Sequence, residues 1–283
     1  MNDVLNFIPY LYKKHLSHSI FSALNLFPDS VLKKNKELKG KYQGQKLFII
    51  GSGPSIKEED LSVLAGQNIM TQNNFHMHDQ INLLKPKFHV VVPKYQSKSF
   101  DGDWIEWIHD MEEKLPNDCL YFFGKNTKYL IDSKTKIGDR TYYMNQGLNP
   151  LFVNKTDCDI SKRIMNVPSA ITQCLMAGVY MGFTEIYLLG MDLNQIVQLG
   201  AGRDNLRWYG HSKITANQAE KDIESTILKS GNIYFEHWKM WRQLNMIDNF
   251  AKSKNIKIGN ASKYGLLNVY PRISLEDALK KKL

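Results

Sequence analysis

KLFIIGSGPSI, residues 46–56, is the stretch on which the reading of the fold turns. Residues 47–50 are apolar and read as a buried strand; two glycines then bracket Ser52, and Pro54 and Ser55 follow. The glycines permit positive φ and lack the Cβ that would hold a ligand away. Backbone N–H groups at the start of the helix expected next, SIKEEDLSVLAG, would face an anion favoured by the helix dipole. Ser55 with Glu58 has the spacing of a capping box. A phosphate or a ribose is the natural occupant of such an elbow. The fingerprint G-x-G-x-x-G is incomplete, because Ile56 holds the sixth position, and the loop G-x-x-x-x-G-K-S/T is absent. A nucleotide-sugar site on a Rossmann-like sheet and a plain tight turn both fit the stretch taken alone.

Downstream, strand-like and helix-like pieces take turns. NIMTQNNF and FHVVVP read as strands, the second ended by Pro93, and DWIEWIHDMEEKL as an amphipathic helix. CLYFFG is a strand; PSAITQCLMAGVYMGF is a helix with Pro168 in its first turn and Gly182 at its end. TEIYLLGMD is a strand, YFEHWKMWRQLNMIDNFAKSK a long helix, NIKIGN a last strand and SLEDALKKK a terminal helix. This alternation predicts an α/β, Rossmann-like, mostly parallel sheet with helices on both faces. Ligands of such sheets lie at the carboxyl ends of the strands. That rule selects residues 51–55, Asn73 and Asn74, Pro93 and Lys94, residues 190–192, and residues 260–263 with Asn260 and Ser262. Residues 194–231 are polar, carry little core patterning and read as a lid-like segment. KGKYQGQ, residues 39–45, separates a basic, amphipathic N-terminal extension, 1–45, from one main domain, 46–283.

The 283 residues are 43% hydrophobic, enough for one large core and too apolar for a disordered chain. No apolar run approaches the roughly 18 residues of a membrane span. The first residues lack the layout of a secretion signal. Cys119, Cys158 and Cys174 are widely spaced, fit neither a disulfide framework nor a zinc pattern, and read as reduced thiols in a cytosol. The net charge of +9 points to a polyanionic partner. No nucleic-acid motif accompanies it, so nucleic acid is not expected. Leu5, Ile8, Leu11, Leu16 and Ile20 recur near helical spacing beside Lys13 and Lys14. That pattern suits an anionic membrane surface, and equally packing on the domain or on another subunit. A homo-oligomer is expected, cytoplasmic or peripheral at the inner face of the cytoplasmic membrane.

Four separated motifs keep their order: the elbow, TQNNF, PSAITQCLMAGVYMGFTEIYLLGMD and YGHSK. Together they resemble the bacterial sialyltransferases that finish lipooligosaccharides, over residues 46–265 with 94–160 unmatched. The resemblance implies a fold of the GT-A-variant type and an inverting, metal-independent glycosyltransferase without a cofactor. Its donor would be a nucleotide-activated sugar, CMP-linked, and its acceptor a glycan or lipid-linked precursor of a surface glycan or lipopolysaccharide. It assigns Gly51, Ser52, Gly53, Pro54, Ser55 and Asn73 to the nucleotide. It places Ser169 at a helix N-terminus near the donor, Gly190 where the cytidine approaches, and Asp192 along the same cleft. His211, in GHSK, becomes the general base toward the acceptor hydroxyl, a task that suits imidazole. Asn74, Asn260 and Ser262 join the donor set from the strand-end rule. The family's two tyrosines after G-x-D are missing: Asn194 stands second after Asp192. Asn166 stands where the family has an arginine. Stabilisation of the leaving group therefore falls to Arg203, Arg207, Tyr209 and Lys213.

The C-terminal NASKYGLLNVYPRISLEDAL resembles the ending of the MptE-like proteins, a few archaeal members of which are pterin diphosphokinases. That alternative needs ATP and Mg²⁺ held by clustered carboxylates, for which Asp101 and Asp103 are the close pair. A non-catalytic partner that binds a nucleotide or glycan is a third reading. His76 and His78, two apart, would share one face of a strand and lack further ligands for a metal.

Overall fold

The structure, a computed structural model, describes residues 29–94, 96–147, 155–166, 169–194 and 232–280. Eight strands form one sheet in the order β6-β5-β4-β3-β2-β1-β7-β8. They are β1 (Lys46–Ile50), β2 (Ile69–Gln72), β3 (Phe88–Val90), β4 (Leu120–Gly124), β5 (Thr141–Gln146), β6 (Arg163–Ile164), β7 (Glu185–Leu189) and β8 (Lys257–Asn260). Every pair is parallel. The helices are α1 (Ile81–Leu84), α2 (Asp101–Lys114), α3 (Lys128–Lys134), α4 (Ala170–Tyr180), α5 (Asn232–Ser253) and α6 (Leu275–Lys280).

Period-two alternation sends the residues of β1 to two cores. Leu47 and Ile49 join Ile171, Leu175, Leu244 and Ile247, so α4 and α5 cover one face. Phe48 and Ile50 join Trp104, Ile108, Ile131 and Ala278, so α2, α3 and α6 cover the other. Because both faces are buried, β7 reads as the near-continuous apolar run EIYLL. Gly178 lets α4 lie close on the sheet: an added Cβ would sit 2.8 Å from Leu47 Cδ2. The helix ends as expected, with Gly182 at φ +89°. Residues from Asp29 onward pack on this body: Leu32 and Leu38 are fully buried, and Asn35 Nδ2 donates to the carbonyls of Tyr143 (2.8 Å) and Ile160 (2.6 Å).

Three local expectations are corrected. SIKEEDLSVLAG is not one helix but two 3-10 turns, Pro54–Glu58 and Leu61–Leu64, the second capped by the Asp60 side chain. No Ser55–Glu58 capping box forms, because Gly53 is the N-cap and the Ser55 hydroxyl is drawn elsewhere. NNFHM is a 3-10 turn (Asn73–Met77), so His76 and His78 do not share a strand face. In residues 94–160, which motif matching left blank, the expected α2 and β4 are joined by α3 and β5. All three cysteines are buried and free. No described helix is long and apolar enough to cross a membrane.

Candidate functional site

The chain builds β2 to β6 outward on one side of β1, then returns to lay β7 and β8 on the other. The strand order thus reverses between β1 and β7, and their carboxyl ends open the crevice where ligands of such sheets bind. The GSGPS elbow and the GMD end of β7 meet there. Gly51 and Gly53 are required by that meeting. An added Cβ on Gly51 would lie 2.5 Å from Gly190 O and 2.6 Å from Met191 Sδ; on Gly53 it would lie 2.6 Å from Asp192 Cγ. Neither glycine has positive φ; Gly190 does, at +61°.

The hydrogen bonds follow the same join and correct the expectation of bare amides. Gly51 N–H donates to Leu189 O (2.8 Å) and Gly53 N–H to Gly190 O (2.8 Å). Ser55 N–H donates to Asp192 Oδ2 (2.8 Å), and its hydroxyl donates to Asp192 Oδ1. Pro54 has no N–H. Only Ser52, half-buried at the crest, keeps an N–H and a hydroxyl with no hydrogen bond among the described residues. The five-residue 3-10 turn that follows supplies no α-helix dipole. The elbow is foremost a latch between two strand ends, with Ser52 as its outward-facing group.

Asp192 is the latch's acceptor. It is 2% exposed. Burial raises its carboxyl above the ordinary carboxylate value, against the opposing pull of the two Ser55 donors. The loop after β8 holds it from behind. Leu266 N–H donates to Asp192 O (2.7 Å), and an added Cβ on Gly265 would lie 2.5 Å from Asp192 Cα. Ser262 Oγ accepts Met191 N–H (3.0 Å). Asn260 is fully buried: its Nδ2 donates to Leu267 O (2.8 Å) and its Oδ1 accepts Ser262 N–H (3.0 Å). Asn260 and Ser262, expected against the donor, thus fasten the loop that backs the crevice.

On the β2 side, Asn73 stands half-buried with φ +49°. Its Oδ1 accepts Val92 N–H at the end of β3 (3.2 Å), which leaves its Nδ2 group without a partner among the described residues. Asn74, expected beside it, turns the other way: it is 1% exposed and accepts Trp107 Nε1–H from α2 (2.8 Å). Gly190, φ +61°, holds the equivalent position directly after β7, and Leu193, three residues further on, is left-handed as well, at φ +52°. Positive φ in an asparagine is tolerated and in a leucine is costly, so the backbone strain falls on Leu193, on the β7 side of the elbow. Ser169 is the N-cap of α4 with an extended backbone and makes no side-chain cap bond. The ammonium of Lys94, 6% exposed, donates to Gln96 O (2.9 Å) and Ser97 O (2.7 Å) and pairs with Asp101 (2.9 Å). His211, Arg203, Arg207, Tyr209 and Lys213 lie outside the described residues.

Sequence reasoning missed Gln72, whose amide touches both Met191 and Cys174, and the Gly265 loop. Gly265 has φ +117°, and its neighbours Tyr264 and Leu266 gave no turn signal beyond the glycine itself. No family model and no curated protein matches the sequence. Solved structures do. One is the sialyltransferase CstII from Campylobacter jejuni in complex with a substrate analogue, CMP-3FNeuAc: TM-score 0.51, 17% identity, 84% of this chain and 89% of that chain. Another is a variant of the sialyltransferase Cst-II in complex with CMP: TM-score 0.50, 18% identity, with 84% and 89% covered. The fold of this chain is similar to that of a sialyltransferase. The likeness supports the expected Rossmann-like, GT-A-variant architecture and spans nearly the whole CstII chain.

Proposed function

We propose that the chain is a sialyltransferase-like glycosyltransferase that moves a sugar from a CMP-linked donor to a glycan or lipid-linked acceptor of a bacterial surface glycan. One observation carries the reading. The crevice at the reversal of strand order is built from GSGPS and GMD locked together, on the fold of an enzyme solved with CMP and with a CMP-sugar analogue. Ser52 and Asn73 are the strand-end groups left to meet the nucleotide, and Ser169 stands at the α4 N-terminus toward the donor.

The reaction would be inverting and free of metal and cofactor. His211 accepts the proton of the acceptor hydroxyl as its oxygen attacks the anomeric carbon. The bond from that carbon to the phosphate oxygen breaks, and CMP departs. Arg203, Arg207, Tyr209 and Lys213 offset the charge that grows on the phosphate. The basic N-terminus would hold a cytoplasmic homo-oligomer against the anionic inner membrane face, where lipid-linked acceptors lie.

The diphosphokinase alternative finds no help at its carboxylate pair, because Asp101 is engaged by Lys94 and by the Tyr129 hydroxyl (2.7 Å). Transfer from a panel of CMP-sugars, measured with and without EDTA, tests the reading. Transfer that survives EDTA and is lost in a folded His211→Ala variant supports it; full activity of that variant, or dependence on a divalent cation, refutes it.

A further inference from the structure

Behind Asn73 lies a chain of polar groups that the proposed reaction does not use. His76 is buried to 0% on the 3-10 turn that follows β2. Its Nδ1 lies 3.0 Å from the carbonyl oxygen of Asn73, and its Nε2 lies 2.9 Å from Asp110 Oδ2 on α2. Asp110 in turn pairs with Lys114 (2.8 Å) at the surface. The rings of Trp107 (6.3 Å) and His89 (6.0 Å) close the other sides. A carbonyl and a carboxylate only accept, so the two contacts hold together when both ring nitrogens carry a proton, Nδ1–H donating to Asn73 O and Nε2–H to Asp110, whose carboxylate is the counter-ion of the imidazolium.

We propose that His76 is a positioning residue: anchored by Asp110, it clamps the carbonyl of Asn73, keeps Asn73 in its left-handed conformation, and thereby aims the Asn73 Nδ2 donors at the nucleotide. Two independent contacts fix the asparagine. Its carbonyl is held from below by His76, and its Oδ1 is held sideways by Val92 N–H. With φ and the amide plane both set, the N–H pair has one direction left. A histidine does this at full burial because it reaches a backbone carbonyl with one nitrogen and a charged anchor with the other. This inference rests on the reading of Asn73 as a donor contact.

The test compares His76→Phe, which keeps the ring and loses both nitrogens, with His76→Asn, whose amide can still reach the Asn73 carbonyl, and with Asp110→Ala. CMP affinity is read by calorimetry and the Asn73 backbone by crystallography. His76→Phe should weaken CMP binding about tenfold and release Asn73 from positive φ. His76→Asn should recover the affinity to within about threefold, and Asp110→Ala should fall between them. If His76→Phe does not fold, Asp110→Ala alone decides, because Asp110 is already part-exposed. Wild-type affinity with Asn73 unmoved overturns the inference. A wild-type protein that binds no cytidine nucleotide overturns the functional reading instead, and the Asn73 backbone in the variants still decides the role of His76.

Discussion

Ser55 gives both its backbone N–H and its hydroxyl to the carboxylate of Asp192, 137 residues further along the chain. Two strand ends that no local rule brings together are thereby locked at the point where the strand order reverses. Removing the acceptor leaves two buried donors unpaired, so Asp192→Ala should cost about 2–3 kcal/mol in urea unfolding. Ser55→Ala, which loses one donor and leaves part of the carboxylate's partners in place, should cost about 1 kcal/mol. A cost for Asp192→Ala below that of Ser55→Ala would break the latch account.

The tight join also orders the glycines. Gly51→Ala would place a methyl group 2.5 Å from Gly190 O and should destabilise by about 1–3 kcal/mol, with loss of CMP binding. Gly102, in the first turn of α2, has open space around an added Cβ. Gly102→Ala should be stabilising by about 0.5–1 kcal/mol and leave binding unchanged. Thermal melts of the two variants side by side measure the contrast.

Stability should fall in acid because of His89. The ring is fully buried, with Nδ1 2.8 Å from the Thr71 hydroxyl and Nε2 without a partner among the described residues. Burial holds its pKa well below the ordinary value, with neighbouring His76 adding to the effect and the Asn73 backbone opposing it. Below about pH 6.5 the unfolded chain takes up a proton that the folded chain refuses. The contribution is therefore present above about pH 6.5 and is lost as pH falls, by up to about 1.4 kcal/mol per pH unit for one such group. Urea midpoints between pH 8 and pH 5 should drop for the wild type and drop less for His89→Asn, whose amide can stay with Thr71. Equal slopes would remove His89 from the acid response.

Asn73→Gly separates conformation from contact. Glycine adopts φ +49° freely and has no amide, so folding should be retained while CMP affinity falls about tenfold. Unchanged affinity would take Asn73 out of the donor site.

How far the sequence could be read depends on where each residue's partner lies. The parallel sheet was legible because β1, β3, β4 and β7 are short apolar runs punctuated by small or turn residues, a local signal. The elbow was legible as an elbow for the same reason. Its purpose was not: Gly51 and Gly53 meet Gly190 and Asp192 across the switch point, and nothing within ten residues of the elbow reveals that its amides bond to β7 rather than to a ligand. The helix expected after it failed because Ser55, read as a cap, belongs to Asp192. Asn74 and Asn260 were selected by a rule about position, which names the strand end but not the direction of the side chain. His76 carried no local signal, since Asp110 reaches it from a helix 34 residues away.

The central claim is that a cytidine nucleotide sits at the β1–β7 crevice and is met by Ser52 and Asn73. Titrating CMP into ¹⁵N-labelled protein while following backbone and side-chain amides tests it most directly. The account predicts that the Ser52 backbone amide and the Asn73 side-chain amide move first and most, with the amides of Gly51, Gly53 and Ser55, already bonded to β7, moving less. Shifts confined to other parts of the sheet, or a Ser52 amide that stays still at saturation, would contradict it.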